Sequence, residues 1–171
     1  KNPACIMCPR NDPKFVKNPH FHVNRFDEIL EKVKPLIPHL KELWVLGVAE
    51  PFWKNAIFDS LQKLEYPEHR DKLTVVTFTN GTIFGAKTRE RWIHTVKKAC
   101  VHFSIDAATP ETYRQIRRLD FYETIKRNIT AYGRQNVADH EIRICHNINR
   151  LNFHELPKMV HEANEMEKLN D

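Results

Sequence analysis

The chain has 171 residues, 41% hydrophobic and 29% charged, with a net charge of +5. That is enough chain for one domain with a real core, and the composition excludes disordered, collagen-like and disulfide-scaffold classes. No apolar run reaches spanning length, no signal peptide opens the chain, and the basic residues are scattered among acidic ones, so the expectation is a soluble cytoplasmic protein with neither membrane nor nucleic acid as partner.

The first 22 residues are rich in proline and lack periodicity, which predicts a loop. That loop carries Cys5 and Cys8. In a reducing compartment a Cys-x-x-Cys pair reads as metal-binding or redox-active. From Asn24 the pattern changes: Phe26, Ile29, Leu30, Val33, Ile37 and Leu40 recur at helical spacing, and Asn24 with Asp27 resembles a capping box. Pro35 and Pro38 disturb the last turns. The apolar run at 42–47 reads as a buried strand, and 55–65 as a helix with Asn55 as its cap.

The clearest strand is 72–79, β-branched and aromatic, closed by Asn80-Gly81. A helix follows over about 86–98, then a strand at 100–106. Thr109, Pro110 and Glu111 have the grammar of a helix start. Another helix is expected over 121–134 and a fourth strand at 140–148. Asn152 and Glu155, again at capping-box spacing, open the last helix. Units of about 30 residues predict a single α/β domain over 1–171, a loop and a helix followed by four strand–helix units on a parallel sheet.

In such folds ligands bind beyond the carboxyl ends of the strands. Glu50 follows the first strand, Thr79 and Asn80 the second, Ser104 and Asp106 the third, and His146, Asn147 and Asn149 the fourth. Every strand delivers hydrogen-bonding groups to one rim.

Five collinear segments carry a family resemblance. They are Asn2 to Pro9 with its two cysteines, Gly47-Val48-Ala49-Glu50-Pro51, Thr79-Asn80-Gly81, Ser104-Ile105-Asp106 running through Thr109-Pro110-Glu111-Thr112-Tyr113 to Arg117, and Asn152 to Glu155. In this order they resemble the core of radical S-adenosylmethionine enzymes. The resemblance implies a partial (β/α) barrel with about four of the family's six strands. It implies a [4Fe–4S] cluster, with Cys5 and Cys8 among its ligands in a loop over 1–22, and S-adenosylmethionine on the open iron. An electron from a flavodoxin- or ferredoxin-type donor would split the sulfonium, and the 5′-deoxyadenosyl radical would take hydrogen from a substrate.

By the same resemblance, Glu50 and the backbone of Gly47, Val48 and Ala49 hold the methionyl ammonium. Ser104 reaches the ribose or carboxylate, and Arg117 pairs with the carboxylate. Asn80, Asp106 and Asn147 complete the rim. Two departures stand out. Position 1, where the family has its first cysteine, is Lys1, and Ala49 replaces a glycine. Cys100, at the start of a strand, and Cys145, within one, are not natural replacements. The alternatives are a non-catalytic relative that keeps the fold as a binding module, and a zinc or redox site in which His20 or His22 joins Cys5 and Cys8.

Overall fold

The computed structural model describes residues 5–16, 26–45 and 50–168. Helix α1 is Pro13–Val16 and α2 is Phe26–Val33. Strand β1 is Glu42–Val45, followed by α3, Ala56–Lys63, and the short α4, Tyr66–His69. Then come β2 at Thr74–Thr79, α5 at Ala86–Thr95, β3 at Ala99–Ser104 and α6 at Pro110–Arg117. Helix α7 is Tyr122–Gly133, β4 is His140–Cys145 and α8 is Leu156–Lys168. The four strands form one sheet in the order β1-β2-β3-β4, and every pairing is parallel. The α/β alternation and the parallel sheet expected from the sequence are both present. Among the described residues no helix is long and apolar enough to cross a membrane.

Several element ends differ from expectation, each for a local reason. The helix entering at 26 becomes a 3-10 helix over Lys34–His39, because Pro35 and Pro38 lack the N–H an α-turn needs. Asn55 precedes α3 as expected but its side chain accepts no cap hydrogen bond; it sits in the left-handed region at φ 63°. Strand β3 stops at Ser104, because Asp106 is also left-handed, at φ 57°. Thr109 is the expected cap of α6: its hydroxyl accepts the Thr112 N–H at 3.3 Å, with Pro110 in the first turn. Asn24 lies outside the described residues.

The pleat sorts the sheet into two faces. Leu43, Val75, Ala99, Val101 and Phe103 are buried in the core shared with the helices. There Phe52 meets Trp92 edge-on at 5.4 Å between ring centres, and Phe84 meets Tyr132 at 5.1 Å. The alternate residues carry a different chemistry. Trp44 is 53% exposed, Phe78 stacks on His102 at 4.2 Å, and Arg143 forks onto Glu141 at 2.6 and 3.1 Å.

One buried polar relay joins the helices to the edge strand. Trp92 Nε1 donates to the Tyr132 hydroxyl at 3.0 Å, that hydroxyl lies 2.8 Å from His140 Nδ1, and His140 Nε2 lies 2.8 Å from the Val96 carbonyl. The carbonyl can only accept, so Nε2 carries the proton and Nδ1 accepts from Tyr132. This arrangement requires a neutral imidazole, and burial holds the His140 pKa below its ordinary value. The folded pKa lies below the unfolded one, so this stabilisation is complete above about pH 6.5 and is lost as the pH falls through the folded value. Replacing Tyr132 with Phe leaves the Trp92 N–H and the His140 nitrogen unpaired. Urea unfolding at pH 7.5 should show a loss of about 1–3 kcal/mol. An unchanged midpoint would show that the relay contributes nothing.

Candidate functional site

The C-terminal tips of β1 and β2 are tied by Glu50. One carboxylate oxygen accepts the Thr79 hydroxyl at 2.6 Å and the other accepts the Asn80 N–H at 2.9 Å. Burial raises the Glu50 pKa above the usual carboxylate range, against the pull of those bonds and of the Arg117 charge. Asn80 turns its carbonyl oxygen onto the Thr82 N–H and hydroxyl at 2.9 and 2.6 Å, so that oxygen shapes the turn. Gly81 completes the turn at φ 71°. A Cβ there would approach Phe103 and Ile125 to 3.1 Å, which is why this position needs glycine. Gly47, Val48 and Ala49 lie outside the described residues.

The tips of β3 and β4 are tied by Asp106. It is fully buried; one oxygen accepts the Asn147 N–H at 2.7 Å, and the other meets the Arg117 guanidinium. That second contact is close but poorly aligned. Asp106 Oδ2, Arg117 Nε and Arg117 Nη2 therefore have no well-directed hydrogen-bond partner, although all are buried. Arg117 Nη1 points the other way, 3.7 Å from Cys5 Sγ. The loop is docked by main chain as well, since the Ile6 N–H donates to the Ile116 carbonyl at 2.9 Å. Asn11 Nδ2 donates to the Cys5 carbonyl at 2.6 Å. The Cys-x-x-Cys loop thus sits at the strand-tip rim, with Arg117 between it and the sheet.

Ser104 is the half-buried last residue of β3, in register with Cys145. Asn147 contributes through its backbone, and its side chain is exposed. Cys5 and Cys8 are free, partly buried thiols. Two further residues lie here: His146, one of the rim groups after the fourth strand, and Tyr113, to which the sequence gives no site role. Tyr113 lies one helical turn before Arg117, is fully buried, and has an unpartnered hydroxyl whose pKa burial pushes up to about 12. Both ring nitrogens of His146 are buried and unpartnered, and burial lowers its pKa. The sequence signal for Tyr113 was its i, i+4 spacing to Arg117.

Asn152 and Glu155 require a correction. They do not form a capping box. Asn152 Nδ2 donates to the carbonyls of Asp106 and Asn147 at 2.9 and 2.8 Å. Glu155 reaches into the β3–α6 connection, accepting the Thr109 and Thr112 hydroxyls at 2.6 and 2.7 Å and the Ala108 N–H at 2.7 Å. Burial alone would raise the Glu155 pKa, but these three bonds outweigh it and hold the carboxyl below its ordinary value.

Cys100 and Cys145 lie apart from this rim loop, against opposite nitrogens of His102. Cys100 Sγ is 3.3 Å from Nε2 and Cys145 Sγ is 3.3 Å from Nδ1. Burial pushes the Cys100 thiol up to about 11. Two sulfurs on opposite edges of one imidazole cannot join it around a single ion. Among the described residues no group of three or more His, Cys, Asp or Glu side chains is arranged to hold a metal ion. Lys1, His20 and His22 lie outside the described residues.

No protein-family model matches the chain, and no curated protein matches it. Glu155→Gln tests the bonds that Glu155 makes to the β3–α6 connection. A glutamine can keep its oxygen on the Ala108 N–H only by turning its amide nitrogen to the two threonine hydroxyls, so both of those hydrogen bonds reverse and the charge that strengthens all three is lost. The expected loss is about 1–3 kcal/mol in urea unfolding at pH 7. The wild-type advantage, present above the unfolded glutamate pKa near 4.3, should disappear as the pH falls through the lower folded value. Equal midpoints for both proteins at pH 7 would show that these bonds contribute nothing to stability.

Proposed function

We propose that the chain is the cofactor-binding core of a radical S-adenosylmethionine enzyme, with the ligand held at the strand-tip rim. The observation that carries this reading is the junction at Arg117, where a Cys-x-x-Cys loop meets the same rim as Glu50 and Asp106. Glu50 offers a buried carboxylate with unused acceptor capacity, suited to an ammonium group. Arg117 offers buried N–H groups without aligned partners, suited to a carboxylate or another anion. Ser104 lies at the rim between them in chain order and is partly open to solvent. Such a set recognises both halves of an α-amino acid moiety, which is the end by which S-adenosylmethionine would be fixed.

The fit to a [4Fe–4S] cluster is partial. Cys5 and Cys8 would hold two irons, and Lys1 cannot ligate a third while protonated. When bound, such a cluster supplies the electron that cleaves a sulfonium, drawn from a flavodoxin- or ferredoxin-type donor. The work of this chain is to bind and orient the ligand and to shield it from water. The lysine at position 1 favours a second reading, a non-catalytic relative that binds the nucleoside ligand on the same rim. A Cys-x-x-Cys/His zinc site has no third ligand among the described residues.

Isothermal titration with S-adenosylmethionine tests what the two main readings share. Binding should be measurable and should weaken about tenfold or more for Glu50→Gln, the loss of one charge-assisted hydrogen bond of about 1.5–3 kcal/mol. Affinity should also fall on mild acidification, at a pH where an ordinary glutamate is still ionised, because Glu50 protonates early. Absence of heat, or an unaltered affinity in the variant, would sink the ligand assignment. Anaerobic loading with iron and sulfide then separates the readings. The enzyme reading expects iron–sulfur absorbance at least in the Lys1→Cys variant, and the binding-module reading expects none in the natural chain.

A further inference from the structure

We propose that Cys5 and Cys8, without any metal, act as a reversible dithiol–disulfide pair that exchanges with small-molecule disulfides at the edge of the rim. The Cys8 N–H donates to the Cys5 carbonyl at 2.9 Å, closing a four-residue turn over Ile6 and Met7. A turn of that kind holds its first and fourth Cα atoms within about 7 Å. A disulfide needs Cα atoms about 4.4–6.8 Å apart, a separation that such a turn accommodates. The turn is braced from both sides. Asn11 donates to the Cys5 carbonyl at 2.6 Å, and the Asn11 N–H donates to the Cys8 carbonyl at 2.9 Å. Both thiols are free and partly exposed, whereas Cys100 is buried. The Arg117 guanidinium, 3.7 Å from Cys5 Sγ, lies where negative charge spreads over sulfur during exchange.

The chemistry balances with a disulfide RSSR as the oxidant. One cysteine thiolate attacks RSSR, forming a mixed disulfide and expelling RS⁻. The second cysteine sulfur attacks the protein-side sulfur of that bond, closing Cys5–Cys8 and expelling a second RS⁻. Two electrons pass from the cysteines to RSSR, and the two thiol protons end on the two released thiols. The consequence for the rim is a redox gate, since the disulfide form has no thiolate at this loop to offer a metal. The inference does not rest on the cluster reading, because it concerns these thiols in the metal-free protein.

The test uses the full chain, purified without metal and incubated with excess oxidised glutathione, then alkylated and mapped by mass spectrometry. The expected result is loss of two alkylation sites and of 2 Da in the peptide spanning residues 2–10, reversed by dithiothreitol. Cys5→Ser and Cys8→Ser proteins should instead trap one glutathione on the remaining thiol. Two outcomes would overturn the proposal: a stable mixed disulfide on the unsubstituted chain with no 2 Da product, or full alkylation of both cysteines after incubation. Neither depends on whether S-adenosylmethionine binds, so the two proposals fail separately.

Discussion

The arrangement of the rim depends on one buried ion pair. Asp106 and Arg117 lie almost wholly inside the protein, and taking two such charges out of water costs several kcal/mol each. The pair survives because its partners are themselves structural. Asp106 also receives the Asn147 N–H, so its charge fixes where β4 ends. Arg117 closes α6 and reaches the Cys5 sulfur, so its charge fixes where the N-terminal loop lies. Removing either charge would strand the other in a low-dielectric site, at a cost of about 3–5 kcal/mol. A pair that costs this much without being fully aligned is poor design for stability alone. Asp106 Oδ2 and Arg117 Nε and Nη2 all lack a well-directed hydrogen bond, so the pair is only partly satisfied.

Asn152 and Glu155 show how that strained geometry is held. A left-handed aspartate at φ 57° costs free energy, which the surrounding structure must supply. Asn152 clamps the Asp106 carbonyl and Glu155 gathers the three donors that follow it. Two residues from the start of the last helix thus hold the conformation of a loop some 46 positions earlier. On this account the strain sits at the candidate site and its compensation sits outside it.

The sequence displayed the sheet well, because apolar β-branched runs and proline-initiated helices are local signals. The β-branched run of Thr74–Thr79 and the Thr109-Pro110 helix start are legible in neighbouring residues, and both formed as expected. It displayed long-range roles poorly. Asn152 and Glu155 have the spacing of a capping box, and only the folded chain shows their side chains spent on the β3–α6 connection. Asp106 read as part of a strand, since its left-handed backbone is imposed by Arg117, Asn147 and Asn152 rather than by its neighbours. The prolines of the 3-10 segment were visible, but whether they would end the helix or tighten it depended on packing, with Ile37 buried beneath them. The rim residues were found through the rule that parallel sheets present ligand groups at strand ends. The partner each would choose could not be read from that rule.

The second face of the sheet follows from the same logic. Helices bury one side of the strands, so the other must be made tolerable in some other way. Here Phe78 stacks on His102, both thiols of the face rest on that imidazole, and Glu141 and Arg143 neutralise each other along the edge strand. His102 is held neutral by burial, so the sulfur–imidazole–sulfur chain carries no net charge and asks for no counter-ion. The polar groups of this face are therefore mostly satisfied among themselves, whereas those at the rim are not. The side chains of the second face have spent their hydrogen bonds on each other, whereas Arg117 Nε and the Tyr113 hydroxyl are buried without an aligned partner.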